Sequence, residues 1–274
     1  MYKRQFKLVV AAAALENGLY SSVDEATHSP DPYTLPHTRT KLTNESASAP
    51  CKNADIRTAL QYSCNTVFAK MAVDLGKDKV KAQAEKFGFN DEKVDTPVRA
   101  GTSRYPSDMD DAQTALSGIG QFDDQATPLQ MAMISSAIAN GGELRTPQLV
   151  DALTDGGGNT VQDFGPTTYG DGKTMSAGTA QQLQSAMQTV VDKGTGSGAK
   201  IGGLTVGGKT GTAQHGVDNS GTPYAWFVSY AKDREGRQVA VAVMVEDGHA
   251  ARNEISGNGL AAPIARAMMK AALS

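Results

Sequence analysis

The chain has 274 residues, 39% of them apolar and 20% charged, which is the balance of a globular protein with a sizeable core. Its 26 basic and 29 acidic side chains give a formal net charge of −3, so charge offers no basis for nucleic-acid binding. Two cysteines are too few for a disulfide scaffold or a structural zinc cage. No apolar run reaches the roughly 18 residues that a membrane-spanning helix needs.

The first apolar stretch, residues 8–15, has two interpretations. Basic side chains within residues 1–7 precede it and alanines end it, as in a secretory signal peptide. The same pattern also predicts a buried helix from Phe6 to Glu16 that stops at Asn17-Gly18. The local sequence leaves both interpretations open.

The middle of the chain is predicted to be mainly helical. Residues 21–50 are rich in Ser, Thr and Pro without an apolar period, which indicates a surface loop. Apolar residues then recur at helical spacing from Asp55 onward. The helices predicted from this spacing and from capping residues cover 55–71, 77–87, 110–119, 128–139 and 176–193.

After residue 200 the apolar period changes to two. Strands are predicted at Tyr224–Ala231 and Gln238–Glu246, and a shorter one at Leu204–Val206 with an extension toward Gln214 left open. An Ala-rich helix over 255–273 closes the chain. Helices followed by a three-stranded meander and one more helix indicate an α+β fold.

One segment, Gly203–Thr210, matches the phosphate-binding pattern G-x-x-x-x-G-K-[ST]. In a P-loop nucleoside triphosphatase this loop must open a helix whose N-terminus faces the phosphates. The Gly- and Thr-rich residues after Thr210 do not favour a helix, and Leu204–Val206 is itself strand-like. A P-loop nucleoside triphosphatase is therefore a disfavoured third hypothesis for the function.

The same segment has another interpretation when two other motifs are considered. Lys209-Thr210-Gly211-Thr212 on a strand edge would supply a cation, hydroxyl groups and a close backbone approach at the glycine. Ser63-Cys64-Asn65 is a Ser-x-Asn motif on a helical stretch, and Phe6-Lys7 is the second half of a Ser-x-x-Lys motif. Lys7 and Ser63 are 56 residues apart, and Ser63 and Lys209 are 146 apart.

In these motifs, their order and their spacing, the chain resembles the penicillin-binding protein transpeptidases, an acyl-serine D,D-peptidase family, and in particular the class B enzymes of actinobacteria. The resemblance begins at Phe6 and assigns the first apolar stretch to the central buried helix of that family. It implies a helical cluster beside an antiparallel sheet flanked by helices, with the active site in the groove between them. The segments that carry it are FKLVVAAAALENG, YTLP, SCNTVFAK, GIGQ, TPLQMA, GGKTGTAQ and AWFVSYA.

The resemblance implies catalytic roles for Lys7, Ser63, Asn65 and Lys209. A serine attacks a D-Ala carbonyl of a peptidoglycan stem peptide, and Lys7 accepts its proton because burial and the nearby Lys209 lower a lysine pKa. Ser63 would pass a proton to the leaving amine. Asn65 would hold Lys7 and the substrate amide.

The resemblance also implies the ligands. Lys209, Thr210 and Thr212 would bind the terminal carboxylate beside Gly211, and the Thr212 backbone N–H would form half of the oxyanion hole. Stem peptides and β-lactams are the expected ligands, without a metal, a cofactor or nucleic acid. The parent protein is expected to be membrane-anchored, to act at the extracytoplasmic face in cell-wall synthesis, and to associate with other cell-wall synthesis proteins.

The chain departs from the family pattern at the nucleophile. Counting back from Lys7 gives Arg4 where the family has serine, and Gln5 where it has a small residue. We interpret residues 1–5 as foreign, because Met-Tyr-Lys-Arg-Gln is also encoded by the end of a sequencing adapter; a true pseudoenzyme is the alternative. Residues 6–274 would then be an N-terminally truncated transpeptidase domain that lacks its first strands and is inactive as written. A non-catalytic peptidoglycan- or β-lactam-binding module is the second functional hypothesis.

The remaining polar and sulfur-containing residues predict no further site. Cys51 and Cys64 could be bridged or free. The four histidines, His28, His37, His215 and His249, lack metal-ligand spacing. We expect Asp110-Asp111 and Asp123-Asp124 to be exposed charges, and methionines 131, 133, 268 and 269, with Trp226 and Phe227, to pack in the core.

Overall fold

A computed structural model describes residues 4–92, 94, 99–213, 221–246 and 255–274. The helices in this part of the chain are α1 (Lys7–Glu16), α2 (Ile56–Gln61), α3 (Asn65–Leu75), α4 (Lys77–Lys86), α5 (Asp111–Ser117), α6 (Pro128–Ala139), α7 (Ala177–Lys193) and α8 (Ala262–Leu273). The strands are β1 (Tyr33–Thr34), β2 (Lys41–Leu42), β3 (Glu143–Arg145), β4 (Ala152–Thr154), β5 (Thr160–Asp163), β6 (Thr168–Lys173), β7 (Thr205–Ala213), β8 (Tyr224–Lys232) and β9 (Gln238–Val245).

Helix α1 is the centre of the helical cluster. Every residue from Lys7 to Ala14 is at most 1% exposed, and α1 packs against α3, α4 and α7. Its alanines allow these neighbours to approach closely, and the helix ends at Asn17, whose N–H bonds the Ala13 carbonyl before Gly18 takes a positive φ. The buried-helix interpretation of the first apolar stretch is confirmed.

The main sheet is antiparallel with strand order β7-β8-β9. Alternate residues of β8 face different cores because side chains alternate across a strand. Trp226 and Val228 belong to the core shared with the helical cluster, whereas Ala225 and Phe227 pack with Ala262 and other residues of α8. The α+β architecture, with a sheet between helices, therefore agrees with the sequence prediction.

Strand β9 is at one edge of this sheet. Within the described residues it pairs only with β8, and helices α6 and α8 both contact it. Strand β9 is thus an edge strand within the described residues.

Two local predictions were wrong, and one region had no prediction. The helix predicted over 55–71 is broken between α2 and α3, because Ser63 takes a left-handed φ of 57°. Residues 143–173, for which no element was predicted, form two antiparallel pairs, β3–β6 and β4–β5, whose polar and glycine-rich strands carry almost no buried side chains to create a period. At the C-terminus a short π-helical turn, Gly257–Ala261, precedes α8.

The predicted exposure of two side chains, Asp124 and Met268, is wrong. The question of whether the two cysteines are bridged is answered by the structure. Asp124 is only 2% exposed although it was expected on the surface, and Met268 is 51% exposed on α8, in contrast to the buried Met131, Met133 and Met269. Cys51 and Cys64 form a disulfide bond with a Cα–Cα distance of 5.6 Å.

Candidate active site

Aromatic packing fixes the start of α1, where Lys7 is the first helical residue. A short 3-10 turn, Arg4–Phe6, precedes the helix. The Phe6 ring stacks on Tyr105 with centroids 5.0 Å apart and meets the edge of Phe89 at 5.5 Å. This packing places the fully buried Lys7 side chain beneath the groove between the helices and β7.

Ser63 and Asn65 lie at the break between α2 and α3. The Asn44 side chain, from the long loop before α2, accepts hydrogen bonds from the backbone N–H groups of Asn65 (2.6 Å) and Thr66 (3.2 Å) and so caps α3. The Asn65 amide donates to the Thr43 carbonyl at 3.1 Å. Since Cys64 is bonded to Cys51, the loop and the disulfide together hold the Ser-x-Asn motif.

The two motif lysines converge on Ser63. Lys7 Nζ donates to Ser63 Oγ at 3.2 Å, to the Ser63 carbonyl at 2.8 Å and to Asn65 Oδ1 at 2.9 Å. Lys209 Nζ donates to the same Ser63 Oγ at 2.9 Å and to the Thr210 carbonyl at 2.9 Å. Both lysines are 0% exposed, and Ser63 and Asn65 are 6% and 4% exposed. The structure thus brings together the four residues predicted to be catalytic.

Strand β7 carries the remaining predicted binding residues. The Thr210 hydroxyl is 2.9 Å from the hydroxyl of Thr195, and the half-buried Thr212 lies two residues further on the same strand face. Gly211 faces Gln5: a Cβ at this glycine would lie 2.3 Å from Gln5 Nε2. Gly211 is therefore a position of close approach that Gln5 fills.

The P-loop hypothesis fails on the same strand. Gly207, Gly208 and Lys209-Thr210 lie inside β7 and pair with β8, with Lys209 opposite Val228, so the end of the motif does not form a loop that opens a helix. Among the described residues no group of three or more His, Cys, Asp and Glu could hold a metal ion, and no helix could span a membrane. His28 and His37 are exposed. The other two histidines and Gln214 lie outside the described residues, and of Arg4 only the backbone turn is described.

Two residues that support the site were missed by the sequence analysis. Thr195 lies between two glycines after α7, and these were interpreted only as a helix stop; a Cβ at Gly194 would lie 2.8 Å from the Gln61 carbonyl, so glycine allows this turn to reach Thr210. Asn44 gave no signal, because one Asn in a polar loop is not distinctive.

Two buried polar side chains, those of Gln5 and Asp124, have no hydrogen-bond partner among the described residues. The Gln5 amide is 0% exposed, and both its polar atoms are unpaired. Both carboxyl oxygens of Asp124 are also unpaired, and burial together with the neighbouring Asp123 raises the pKa of Asp124 well above its usual value. Burial raises the pKa of Tyr105, and the Asp124 carboxyl adds to this effect.

Comparison with known proteins decides the family. The model of the penicillin binding protein transpeptidase domain matches residues 5–270. The chain belongs to this transpeptidase family. Peptidoglycan D,D-transpeptidase PbpA of Mycolicibacterium smegmatis is 35% identical over 274 residues, covering 98% of this chain and 54% of the relative. MrdA of Haemophilus influenzae is 28% identical over 242 residues, covering 79% of this chain and 36% of that protein.

Solved structures show the same fold for this transpeptidase family member. The crystal structure of PBPA from Mycobacterium tuberculosis superposes with a TM-score of 0.85 at 33% identity and covers 99% of this chain and 60% of that chain. Its imipenem acyl-enzyme complex has a TM-score of 0.85 at 32% identity, with 99% and 59% covered. The chain spans about half the length of the curated PbpA relatives it matches.

Proposed function

We propose that the chain is most of the catalytic domain of a peptidoglycan D,D-transpeptidase that cross-links stem peptides through an acyl-serine intermediate. The observation that carries this proposal is the buried cluster in which Lys7 Nζ and Lys209 Nζ lie 3.2 Å and 2.9 Å from Ser63 Oγ. Such a lysine–serine–lysine arrangement is suited to moving protons, which acyl transfer requires at the nucleophile and at the leaving amine.

The cluster provides a proton path from α1 to the groove. Burial and a second cation nearby disfavour the charged form of a lysine, so one of the two amines can accept a proton. Lys7, the first residue of α1, lies one turn after the nucleophile position and is therefore the amine that would take the proton. Ser63 can relay a proton because its hydroxyl both donates and accepts. Asn65 Oδ1 orients Lys7 at 2.9 Å.

Strand β7 provides a binding edge for an extended ligand. Within the described residues it pairs only with β8, and its other side meets the Arg4–Phe6 turn. A stem peptide could lie along this edge with its terminal carboxylate at Lys209, Thr210 and Thr212, while the Thr212 N–H faces the reacting carbonyl. The β-lactam acyl-enzyme complexes of the M. tuberculosis relative support the same site as a β-lactam site.

We also propose that this chain is inactive as written. Residue 4, one turn before Lys7, is an arginine, whose guanidinium stays protonated and cannot attack a carbonyl. The Gln5 side chain fills the space beside Gly211 where a ligand would approach.

The test is covalent labelling with a fluorescent penicillin. The chain, an Arg4→Ser/Gln5→Thr variant and an Arg4→Ala/Gln5→Thr control are incubated with the probe and separated under denaturing conditions. We expect a label only on the variant with a hydroxyl at position 4, because the control differs by that one oxygen. Labelling of the unmodified chain would contradict its proposed inactivity, and labelling of the alanine control would contradict the assigned nucleophile position.

A second function is favoured by one observation, the absence of serine at position 4. A non-catalytic module would bind stem peptides or β-lactams at the same groove reversibly. Failure of every variant to be labelled, with saturable and reversible penicillin binding by the unmodified chain, would favour this module. Saturable ATP binding would revive the P-loop hypothesis.

The cellular setting is part of the proposal. Peptidoglycan lies outside the cytoplasmic membrane, so we propose that the parent protein acts at the extracytoplasmic face, is anchored in the membrane and works with other cell-wall synthesis proteins. The disulfide between Cys51 and Cys64 supports an oxidising compartment.

A further inference from the structure

Exposed apolar side chains are concentrated on one projecting arm, residues 146–167, which contains strands β4 and β5. Of the seven large apolar side chains that are exposed in the described part of the chain, four lie on this arm. They are Leu149 (71% exposed), Val161 (70%), Leu153 (48%) and Phe164 (37%). Two of them, Leu153 and Phe164, line one groove, and apolar side chains that share a groove mark an interaction site more often than scattered ones.

The arm has no packing role that would explain these side chains. Strands β4 and β5 form a two-stranded sheet of their own, and all their residues are exposed. Their turn is held locally by Asp155, whose carboxylate accepts hydrogen bonds from the N–H groups of Gly157 (2.8 Å) and Asn159 (2.9 Å). An isolated two-stranded hairpin gains little stability from its own contacts, so the apolar residues serve neither the core nor the hairpin.

The arm and its base enclose a groove of about 740 Å³. Val150, Leu153 and Phe164 provide its apolar lining, and Thr146 and Thr167 lie at its base. A groove of this size and lining accommodates several side chains of an extended segment. The open edges of β4 and β5 offer backbone groups that such a segment could pair with.

The charge of this region restricts the occupant. The arm, residues 146–167, contains three aspartates, 151, 155 and 163, and no Lys, Arg or His; the nearest cations along the chain are Arg145 before it and Lys173 after it. Hydrogen bonds from the Asn159 side chain lower the pKa of Asp155, and Asp163 lines the groove. A symmetric contact with a second copy would place these carboxylates against each other, and an anionic lipid surface would repel them.

We propose that this arm binds a segment of another protein that alternates apolar side chains with lysine or arginine. The apolar side chains enter the groove at Leu153 and Phe164, and the cations face Asp151 and Asp163. The proposal does not depend on the transpeptidase function, since the arm lies outside the Lys7–Ser63–Lys209 cluster.

The test uses two labelled synthetic peptides of eight residues, one alternating Val with Lys and the other Val with Glu, and fluorescence anisotropy with the full chain. The arm variants are Leu153→Asn/Phe164→Asn and Asp151→Asn/Asp163→Asn. The control is Ile264→Asn/Met268→Asn, which removes two side chains of similar exposure from α8. We expect saturable binding of the Val/Lys peptide, weakened at least tenfold in both arm variants and less than twofold in the control, in keeping with loss of about 1.4 kcal/mol or more.

Several results would overturn the proposal. Equal binding of the Val/Lys peptide to the arm variants, equal binding of the Val/Glu peptide, or no binding of either would each do so. Self-association by sedimentation that the Leu153→Asn/Phe164→Asn variant abolishes would assign the arm to a second copy. Co-sedimentation with phosphatidylcholine–phosphatidylglycerol vesicles that the same variant abolishes would assign it to a membrane.

Discussion

Two sets of buried polar side chains differ in their hydrogen bonds. Lys7 and Lys209 are fully buried, and each donates to Ser63. Gln5 and Asp124 are as deeply buried, yet neither has a hydrogen-bond partner. An unpaired buried polar group costs free energy of the same order as a lost hydrogen bond. Burial of Gln5 and Asp124 should therefore destabilise the folded state, whereas the hydrogen bonds of Lys7 and Lys209 offset the cost of burying them.

This difference separates the hydrogen-bonded part of the site from the part whose polar atoms are unpaired. The paired cluster is built by α1, the α2–α3 break and β7, three elements that come from distant parts of the sequence. The unpaired amide belongs to residue 5, where the family pattern is lost. Within the described residues, the lysine–serine–lysine cluster is therefore fully hydrogen-bonded, whereas the Gln5 amide just before α1 is not.

The largest expected effect is at Asn65, which completes the paired set. Asn65→Ala removes the acceptor of a hydrogen bond from Lys7 Nζ and the donor to the Thr43 carbonyl. Because both lost hydrogen bonds leave a buried partner unsatisfied, we expect a loss of about 3 kcal/mol in the free energy of unfolding, measured with urea. Asn140→Ala, which removes one hydrogen bond from Asn140 to the Glu143 carbonyl, should cost less than about 1 kcal/mol. Equal losses for the two variants would show that the hydrogen bonds of the buried cluster stabilise the fold no more than an exposed hydrogen bond does.

Opening the disulfide should weaken the same cluster from outside. Cys51 and Cys64 are separated by 13 residues, and a loop of that length corresponds to about 3 kcal/mol in the chain-entropy model. A Cys51→Ser/Cys64→Ser variant should therefore unfold at lower urea concentration than the oxidised chain. A reducing agent should lower the stability of the parent chain and leave the double variant unchanged. A reductant effect on both proteins would contradict this account.

The unpaired Asp124 predicts a stability that depends on pH. Its raised pKa means that the folded state keeps a proton that the unfolded state releases, so stability falls as pH rises from about 4 toward the folded-state pKa. Asp124→Asn should stabilise the chain at pH 7, because the amide never has to be buried as a charged group, and the gain should vanish near pH 3, where Asp124 is protonated in both states. Chemical denaturation of both proteins across this range measures it. The exposed Asp123→Asn control should show a smaller gain, and a gain for Asp124→Asn that persists at pH 3 would rule out titration as the cause.

The smallest expected effect compares two buried glutamines. Gln83 donates to the Thr174 carbonyl at 2.8 Å, whereas the Gln5 amide is unpaired. Replacement by the similarly sized leucine should stabilise at position 5 by about 1 kcal/mol and destabilise at position 83 by about the same amount. Thermal unfolding of Gln5→Leu and Gln83→Leu measures the two signs. Destabilisation by both would show that Gln5 is well accommodated, and the contrast between the two sets would fail.

The sequence predicts the regular part of this fold well because burial leaves a period. The bounds of α6 match the prediction, and those of α7 and β8 agree within one residue, since a capping residue marks each helix and an apolar run bounded by polar residues marks the strand. The strands of residues 143–173 gave no period, because they are nearly all exposed. The break at Ser63 was hidden because Leu60 and Val67, on opposite sides of it, keep an apolar spacing that a continuous helix would also show.

The motif residues of the site were predictable, whereas their supports were not. Lys7, Ser63, Asn65 and Lys209 were found through short motifs at a fixed order. Thr195 and Asn44 act through contacts across 15 and 21 residues that no local pattern encodes. Burial of Asp124 has the same origin, since its neighbour Asp123 is exposed and the two cannot be told apart by sequence.

The most direct test of the central claim is the position of a penicillin adduct in the Arg4→Ser/Gln5→Thr variant. After incubation with penicillin G, intact-mass spectrometry and peptide mapping locate any covalent adduct. The account predicts a single adduct on residue 4, absent from the same variant with Lys7→Met, because the buried cluster is intact and only the nucleophile is missing. An adduct on Ser63, or none on a folded variant, would contradict it.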